Sequence, residues 1–174
     1  TSTKVEGAPV AQWMDEDASR LFVLNAGYFH DDHLPSGWVQ KQGKRFGKRS
    51  FDADRSAYVL LGDTPRILSG STNTSTIEVD AFQSYPWLIR ERKTVFTQET
   101  GQYARRTFVG VDTDGVWYVG VVPSESVTLF QLAQLLSNVP TKWRHVINLD
   151  GGPSTGLMAR VNGEEDRFDS FGSV

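Results

Sequence analysis

The amino-acid sequence predicts an α+β fold: a single domain built on a strand-rich mixed sheet with about two packing helices. Three observations carry that expectation. Apolar runs of strand length recur at residues 21–24, 57–61, 108–111, 116–122 and 146–149, each bounded by turn-forming residues. Helical spacing of apolar residues occurs in only two places. The 174 residues, 39% hydrophobic and 11% aromatic, suffice to bury a core, and no repeat or Pro/Gly linker divides them. One domain over 1–174 follows.

In chain order, Val10, Trp13 and Met14 mark a short amphipathic helix with a solvated acidic end, Asp15-Glu16-Asp17. Residues 21–24 form a buried strand in this reading. The stretch 30–56 is polar and glycine-containing, with Lys41, Lys44, Arg45, Lys48 and Arg49 close together. It fits a long excursion around a site or a solvated hairpin. A strand over 57–61 turns at Gly62-Asp63-Thr64-Pro65 and returns over 66–69. Segment 76–97 carries a strand or helix start, then Tyr85-Pro86-Trp87-Leu88-Ile89.

Residues 108–111 and 116–122 flank Asp112-Thr113-Asp114-Gly115, a hairpin signal with Asp-Gly in the turn. The clearest helix comes next. Thr128 and Gln131 have capping-box spacing, and Leu129, Leu132, Ala133 and Leu136 make one apolar stripe. Asn138 and Pro140 close it, and it feeds the strand 146–149. A last hairpin turns at Asn162-Gly163.

Composition excludes several function classes. The net charge of −3 gives no overall basic surface for nucleic acid. No apolar run approaches the roughly 18 residues that span a bilayer, so no stable membrane insertion is expected. Cysteine is absent, which removes disulfides, thiol nucleophiles and thiolate metal sites. There is no signal-like segment, yet the chain opens Thr-Ser-Thr without methionine, which favours a processed or excised form shortened at its N-terminus.

The strand 146–149 discharges into Asp150-Gly151-Gly152-Pro153-Ser154-Thr155-Gly156. One carboxylate, two flexible glycines and two hydroxyls at a strand's carboxyl end suit ligand binding, because such glycines let amide N–H groups converge on an anion. A plain Asp-Gly turn is the competing reading. Asn25-Ala26-Gly27-Tyr28-Phe29 repeats the pattern, with Asn25 a ligand contact or a turn cap and the aromatics core or sugar platform. Arg105-Arg106-Thr107 precedes an apolar strand, which suggests that one arginine points inward and the other lies in solvent; taken alone, the pair fits better as two surface residues. A guanidinium binds phosphate bidentately and keeps its charge at any working pH. His30-Asp31-Asp32-His33 holds metal-ligand residue types, but adjacent residues rarely converge on one ion, and a polar loop tip fits better. His145 reads as a structural histidine. No Gly-x-Ser-x-Gly, HExxH or Walker pattern is present.

Three of these pieces, in order, resemble the phosphodiester glycosidase family. Asn25-Ala26-Gly27-Tyr28-Phe29 matches its opening Asn-Gly-Gly-Phe-Phe-type motif. Arg106-Thr107-Phe108-Val109-Gly110 matches the central Arg-Thr-Ala-Ile-Gly-type motif, and Leu149-Asp150-Gly151-Gly152-Pro153-Ser154 the closing Leu-Asp-Gly-Gly-Gly-Ser-type motif. Tyr85-Pro86-Trp87-Leu88 is similar to a Gly-Pro-x-Leu element, with Tyr85 in the glycine's place. Ala26 stands where the family usually has glycine and Phe108 where it has a small residue, and the strands expected before the first motif are missing.

The resemblance implies hydrolysis of a sugar-1-phosphodiester in cell-envelope or exopolysaccharide material, in an extracytoplasmic compartment. It implies Asp150 and Arg106 as catalytic, with Asn25, Gly27, Thr107, Gly151, Gly152 and Ser154 binding substrate. Asp150 would stabilise an oxocarbenium-like centre, activate water or attack; it could equally hold the Gly-Gly turn. A divalent cation bridging Asp150 and phosphate fits the same picture. The second carboxylate stays open among Asp31, Asp32, Glu99 and Asp112. Two rivals remain: a non-catalytic glycosyl-phosphate binding module of the same fold, and a nuclease-like phosphoesterase using residues 41–49.

Overall fold

The computed structural model describes residues 8–47 and 51–170, so Lys48 and Arg49 of the basic cluster lie outside the described residues. Among the described residues there are two α-helices and thirteen strands, a predominantly β arrangement with which the expected α+β class is broadly compatible. They are α1 (Val10–Asp15), β1 (Phe22–Leu24), β2 (Val39–Lys41), β3 (Lys44–Phe46), β4 (Ala57–Leu60), β5 (Arg66–Ser69), β6 (Ala81–Ser84), β7 (Trp87–Arg90) and β8 (Lys93–Thr94). There follow β9 (Ala104–Asp112), β10 (Trp117–Val127), α2 (Leu129–Asn138), β11 (Trp143–Asn148), β12 (Leu157–Val161) and β13 (Glu164–Phe168).

The expected mixed sheet is corrected. The strands form three sheets, ordered β10-β9-β11-β7-β8, β3-β2-β6-β4-β5 and β1-β12-β13, and their pairings among the described residues are antiparallel. The reason lies in the connections. Parallel neighbours need a crossover of a dozen or more residues, whereas most links here are tight turns. The helical crossover, α2, joins β10 to β11, and β9 lies between them.

The two five-stranded sheets pack face to face over Ala57, Val59, Ile67, Trp87, Val109, Ile147 and Leu149. On the other face of the β9–β11 sheet, Leu132, Ala133 and Leu136 of α2 cover Leu88, Ile89, Trp143 and Val146. Each large side chain fully buried this way contributes about 1.5–3 kcal/mol. The α2 stripe is the one the sequence shows, and its capping box is complete: Thr128 Oγ1 accepts from Gln131 N at 3.2 Å while Thr128 N donates to Gln131 Oε1 at 3.2 Å.

The strand expected to be buried at 21–24 is an edge instead. β1 pairs only with β12 among the described residues, leaving Leu21 70% and Phe22 55% exposed. A three-stranded sheet covered by α1 on one face leaves an edge strand half in water. The Asp112–Gly115 and Asn162–Gly163 hairpins form as expected, the latter with Asn162 and Gly163 both at positive φ (53° and 84°). No helix among the described residues is long and apolar enough to cross a membrane.

Candidate functional site

β9 and β11 lie side by side in the middle of their sheet, and the chain leaving β11 builds the site. Asn148 pairs with Phe108, and Leu149 N donates to Thr107 O at 2.9 Å, extending the ladder by one rung. The next amide switches partner: Asp150 N donates to Ala26 O at 3.0 Å. Asp150 therefore sits where β9, β11 and the segment after β1 meet. Both glycines that follow have a steric reason. A Cβ on Gly151 would stand 2.8 Å from Arg105 O, and Gly152 takes φ +60°, so the loop can hug β9 and then reverse.

Asn25 clamps this junction. Its Nδ2 donates to Asp150 O at 2.7 Å, and its Oδ1 accepts from Thr107 Oγ1 at 2.7 Å and Gly156 N at 3.1 Å. At 2% exposure the carboxamide is spent on the protein. Thr107 is wholly buried and its hydroxyl donates to Asn25, so the structure links it to the site through Asn25. Gly27 packs close against β6, where a Cβ would come 3.1 Å from Gln83 O.

The expected split between a buried and a solvated arginine is also corrected. Arg105 and Arg106 are 2% and 9% exposed, because β9 is an interior strand covered on both faces. Alternation sends them to opposite sides. Arg105 donates to Thr155 O at 2.7 Å and Asp169 O at 3.1 Å, with its guanidinium 4.3 Å from the Phe168 ring centroid. Arg106 points to the α2 side, donating to Val127 O at 3.4 Å and to Gln102 O. Burial lowers its pKa from the usual arginine value, and the neighbouring Tyr28 opposes that. Arginine's intrinsic pKa is high enough that it stays cationic.

Tyr28 joins the two predicted catalytic residues. Its hydroxyl donates to Tyr85 O at 3.0 Å and accepts from Asn148 Nδ2 at 2.6 Å. Burial raises its pKa first, then the charge of Asp150 and Tyr85, while Arg106 pulls the other way. Asp150 carries the complementary signature. Burial pushes its carboxyl above the ordinary range, held back by the Ser154 hydroxyl and by the Gly151 N–H, 2.8 Å from Oδ1. The Gly151 amide is thus taken by Asp150 itself, leaving Gly152 as the loop's expected anion donor.

Sequence reasoning missed Asn148 and Tyr85 and left Tyr28 undecided. Asn148 is 1% exposed, and its Oδ1 has no hydrogen-bond partner among the described residues. A polar residue in an otherwise apolar run, Val146-Ile147-Asn148-Leu149, was the signal available. Tyr28, Tyr85 and Phe51 form an aromatic cluster beside it, with ring centroids 4.4–5.8 Å apart.

The other candidates fall elsewhere. His30 to His33 is an exposed turn, and among the described residues no group of three or more His, Asp or Glu side chains gathers for a metal. Asp112 belongs to the β9–β10 turn, and His145 is half-buried beside Trp87 and Glu91. Glu99 lies beside the N-terminus of α2: the Thr128 side chain holds its pKa down, burial opposes it, and the amides of Gly101 and Thr100 and the Gln131 side chain add to the lowering. Next to Asp150 opens a cleft of about 470 Å³ between the 25–29 segment and strands β2 and β6.

A family model for phosphodiester glycosidases matches residues 18–172. The chain belongs to the phosphodiester glycosidase family. Among solved structures it is similar to the catalytic domain of zebrafish N-acetylglucosamine-1-phosphodiester α-N-acetylglucosaminidase, auto-inhibited by its pro-peptide, at a TM-score of 0.57 and 24% identity. The match covers 84% of this chain and 55% of that one, so this chain spans little more than half the length of that relative. No curated protein matches the sequence. In this phosphodiester glycosidase domain the opening, central and closing motifs come together in space: Asn25 after β1, Arg106 on β9 and Asp150 after β11.

Proposed function

We propose that this domain hydrolyses a sugar-1-phosphodiester to the free sugar and a phosphomonoester. The observation that carries the reading is the junction where Asn25 Nδ2 donates to Asp150 O at 2.7 Å and Asn25 Oδ1 accepts from Thr107, the residue next to Arg106 on β9, with Tyr28 feeling the charges of both Asp150 and Arg106. In the proposed step the bond between the anomeric carbon and the phosphate oxygen breaks, and its electron pair leaves with the phosphate. Arg106 receives that growing negative charge; its fork of five N–H donors keeps some free of the Val127 and Gln102 carbonyls. Asp150 faces the opposite change, the positive charge growing on the sugar. Water adds to the anomeric carbon and its proton passes to solvent. A carboxylate partly removed from water stabilises that cation more than an exposed one, since the local dielectric is lower.

Asn25, Thr107 and Gly27 hold the junction, and Ser154 and Gly152 offer the remaining polar contacts. A divalent cation placed here would find one carboxylate, Asp150, and take its other ligands from phosphate oxygens and water. The bond named for the zebrafish relative supports the sugar-1-phosphodiester class. We assign the substrate to cell-envelope or exopolysaccharide material, and the protein to an extracytoplasmic compartment, on the family resemblance alone.

The test incubates the protein and Asp150→Asn with a panel of sugar-1-phosphodiesters, measuring reducing sugar and phosphomonoester. Turnover by the native chain, lost in the variant, is expected. No turnover across the panel, with and without Mg²⁺ or Ca²⁺, overturns the reading; calorimetric binding of an intact diester would then mark a binding module.

A further inference from the structure

The 470 Å³ cleft has a boundary that sorts the parts of a substrate. Asp150 and Asn25 stand in its wall, but Arg106, Asn148 and Ser154 do not. Asp150 thus borders a cleft whose walls include Trp13, Tyr28, Phe29, Val39, Phe82 and Leu61, with Arg106 and Ser154 outside it. Charge enters the cleft at Lys41 and Asp80, and Lys41 and the His33 imidazole are exposed at the surface. If phosphate lies on Arg106 and the anomeric carbon over Asp150, the sugar extends away from phosphate, into the cleft.

Two properties of the cleft then say what sugar. Its size is one. At about 470 Å³ it falls within the roughly 300–1,000 Å³ of pockets that enclose drug-sized ligands, the size of a two-unit saccharide and more than a single hexose needs. Its chemistry is the other. A pyranose has apolar C–H faces and hydroxyl edges, and this cleft offers half-exposed aromatic rings with a few charged groups spaced along it. Its floor is fixed, since a Cβ on Gly27 or Gly37 would stand 3.1 Å from the same Gln83 carbonyl oxygen.

We infer that the cleft is an extended glycone site that holds a saccharide of at least two units, so that the domain acts on oligosaccharyl-1-phosphodiesters in preference to monosaccharyl ones. The direction of the sugar rests on the hydrolytic reading above; the saccharide occupancy of the cleft does not. Trp13, 38% exposed and in the cleft wall, provides an optical probe that needs no turnover.

The experiment titrates free disaccharide, free monosaccharide and an alkyl phosphate against tryptophan fluorescence, with Trp13→Phe as control. It then compares kcat/KM for disaccharyl and monosaccharyl phosphodiesters. Expected are a disaccharide-dependent change lost in Trp13→Phe and retained in Asp150→Asn, and at least a tenfold kcat/KM advantage for the disaccharyl diester. Phe29→Ala should bring the two kcat/KM values together. Equal kcat/KM values with no fluorescence response overturn the inference, and so does a response to alkyl phosphate alone, which marks an acyl-chain site. A disaccharide response without turnover of any diester supports the saccharide cleft while sinking the hydrolytic reading.

Discussion

Two aspartates end strands of the same sheet in Asp-Gly-containing turns, and the fold treats them oppositely. Asp112, at the end of β9, accepts at Oδ1 from Asp114 N and Val116 N, each at 2.9 Å, and at Oδ2 from the Tyr118 hydroxyl at 3.0 Å. Burial opposes its charge, but those donors with Gly115 win and hold its pKa below the ordinary value. Asp150, beyond β11, has the Gly151 amide and the Ser154 hydroxyl, and there burial wins, raising its pKa. A carboxylate with its lone pairs satisfied by its own turn closes a hairpin. One left short of donors beside Arg106 and Tyr28 retains the capacity to respond to charge in a ligand.

That contrast can be broken most forcefully at Asp150. Asp150→Asn should cut kcat on the order of 10³-fold, the scale at which removing one electrostatic stabiliser acts, while Tm holds or rises because no charge is left to desolvate. A large drop in Tm with proportionate loss of activity would instead make Asp150 a turn former like Asp112. Arg106→Lys keeps the charge and discards the planar fork, so kcat should fall roughly 10²-fold with little change in the circular dichroism spectrum.

The reverse experiment is Asp112→Asn. It should lower Tm by several degrees, seen by differential scanning calorimetry, and leave kcat on a sugar-1-phosphodiester unchanged. Smallest and most specific is a pH effect. If Asp150 acts as the carboxylate, the acid limb of kcat/KM lies above the ordinary aspartate range, because burial raises that pKa. Ser154→Ala removes a hydrogen bond to the charged form, so the limb should move further up in pH. The stability signs also differ. The raised pKa of Asp150 contributes stability below the unfolded value that is lost as pH rises through the folded one. The lowered pKa of Asp112 contributes above the unfolded value and is lost as pH falls through the folded one.

Periodicity and turn chemistry made the local elements legible: α2 with its capping box, the β4–β5 pair and the two hairpins are signals carried within a dozen residues. Sheet type was not, since an apolar run such as 146–149 looks alike in parallel and antiparallel surroundings. The burial of both Arg105 and Arg106 was invisible for a related reason: it depends on β9 becoming an interior strand, a fact of pairing rather than of local sequence. Asp150, Arg106 and Asn25 stood out as polar residues at strand ends. Asn148 and Tyr28 were hidden because their significance is a mutual contact across 120 residues of chain.

The Asn25 clamp has a kinetic corollary. Its three bonds reach partners 82, 125 and 131 residues away, so none can persist until the N-terminal and C-terminal parts of the chain have docked. Contacts this distant in sequence are costly in loop entropy and form late. The site should therefore be absent from partly folded states. During refolding from denaturant, recovery of a native Asp150 environment should coincide with the last global phase, and fragments carrying only one or two of the three motifs should hold no residual activity.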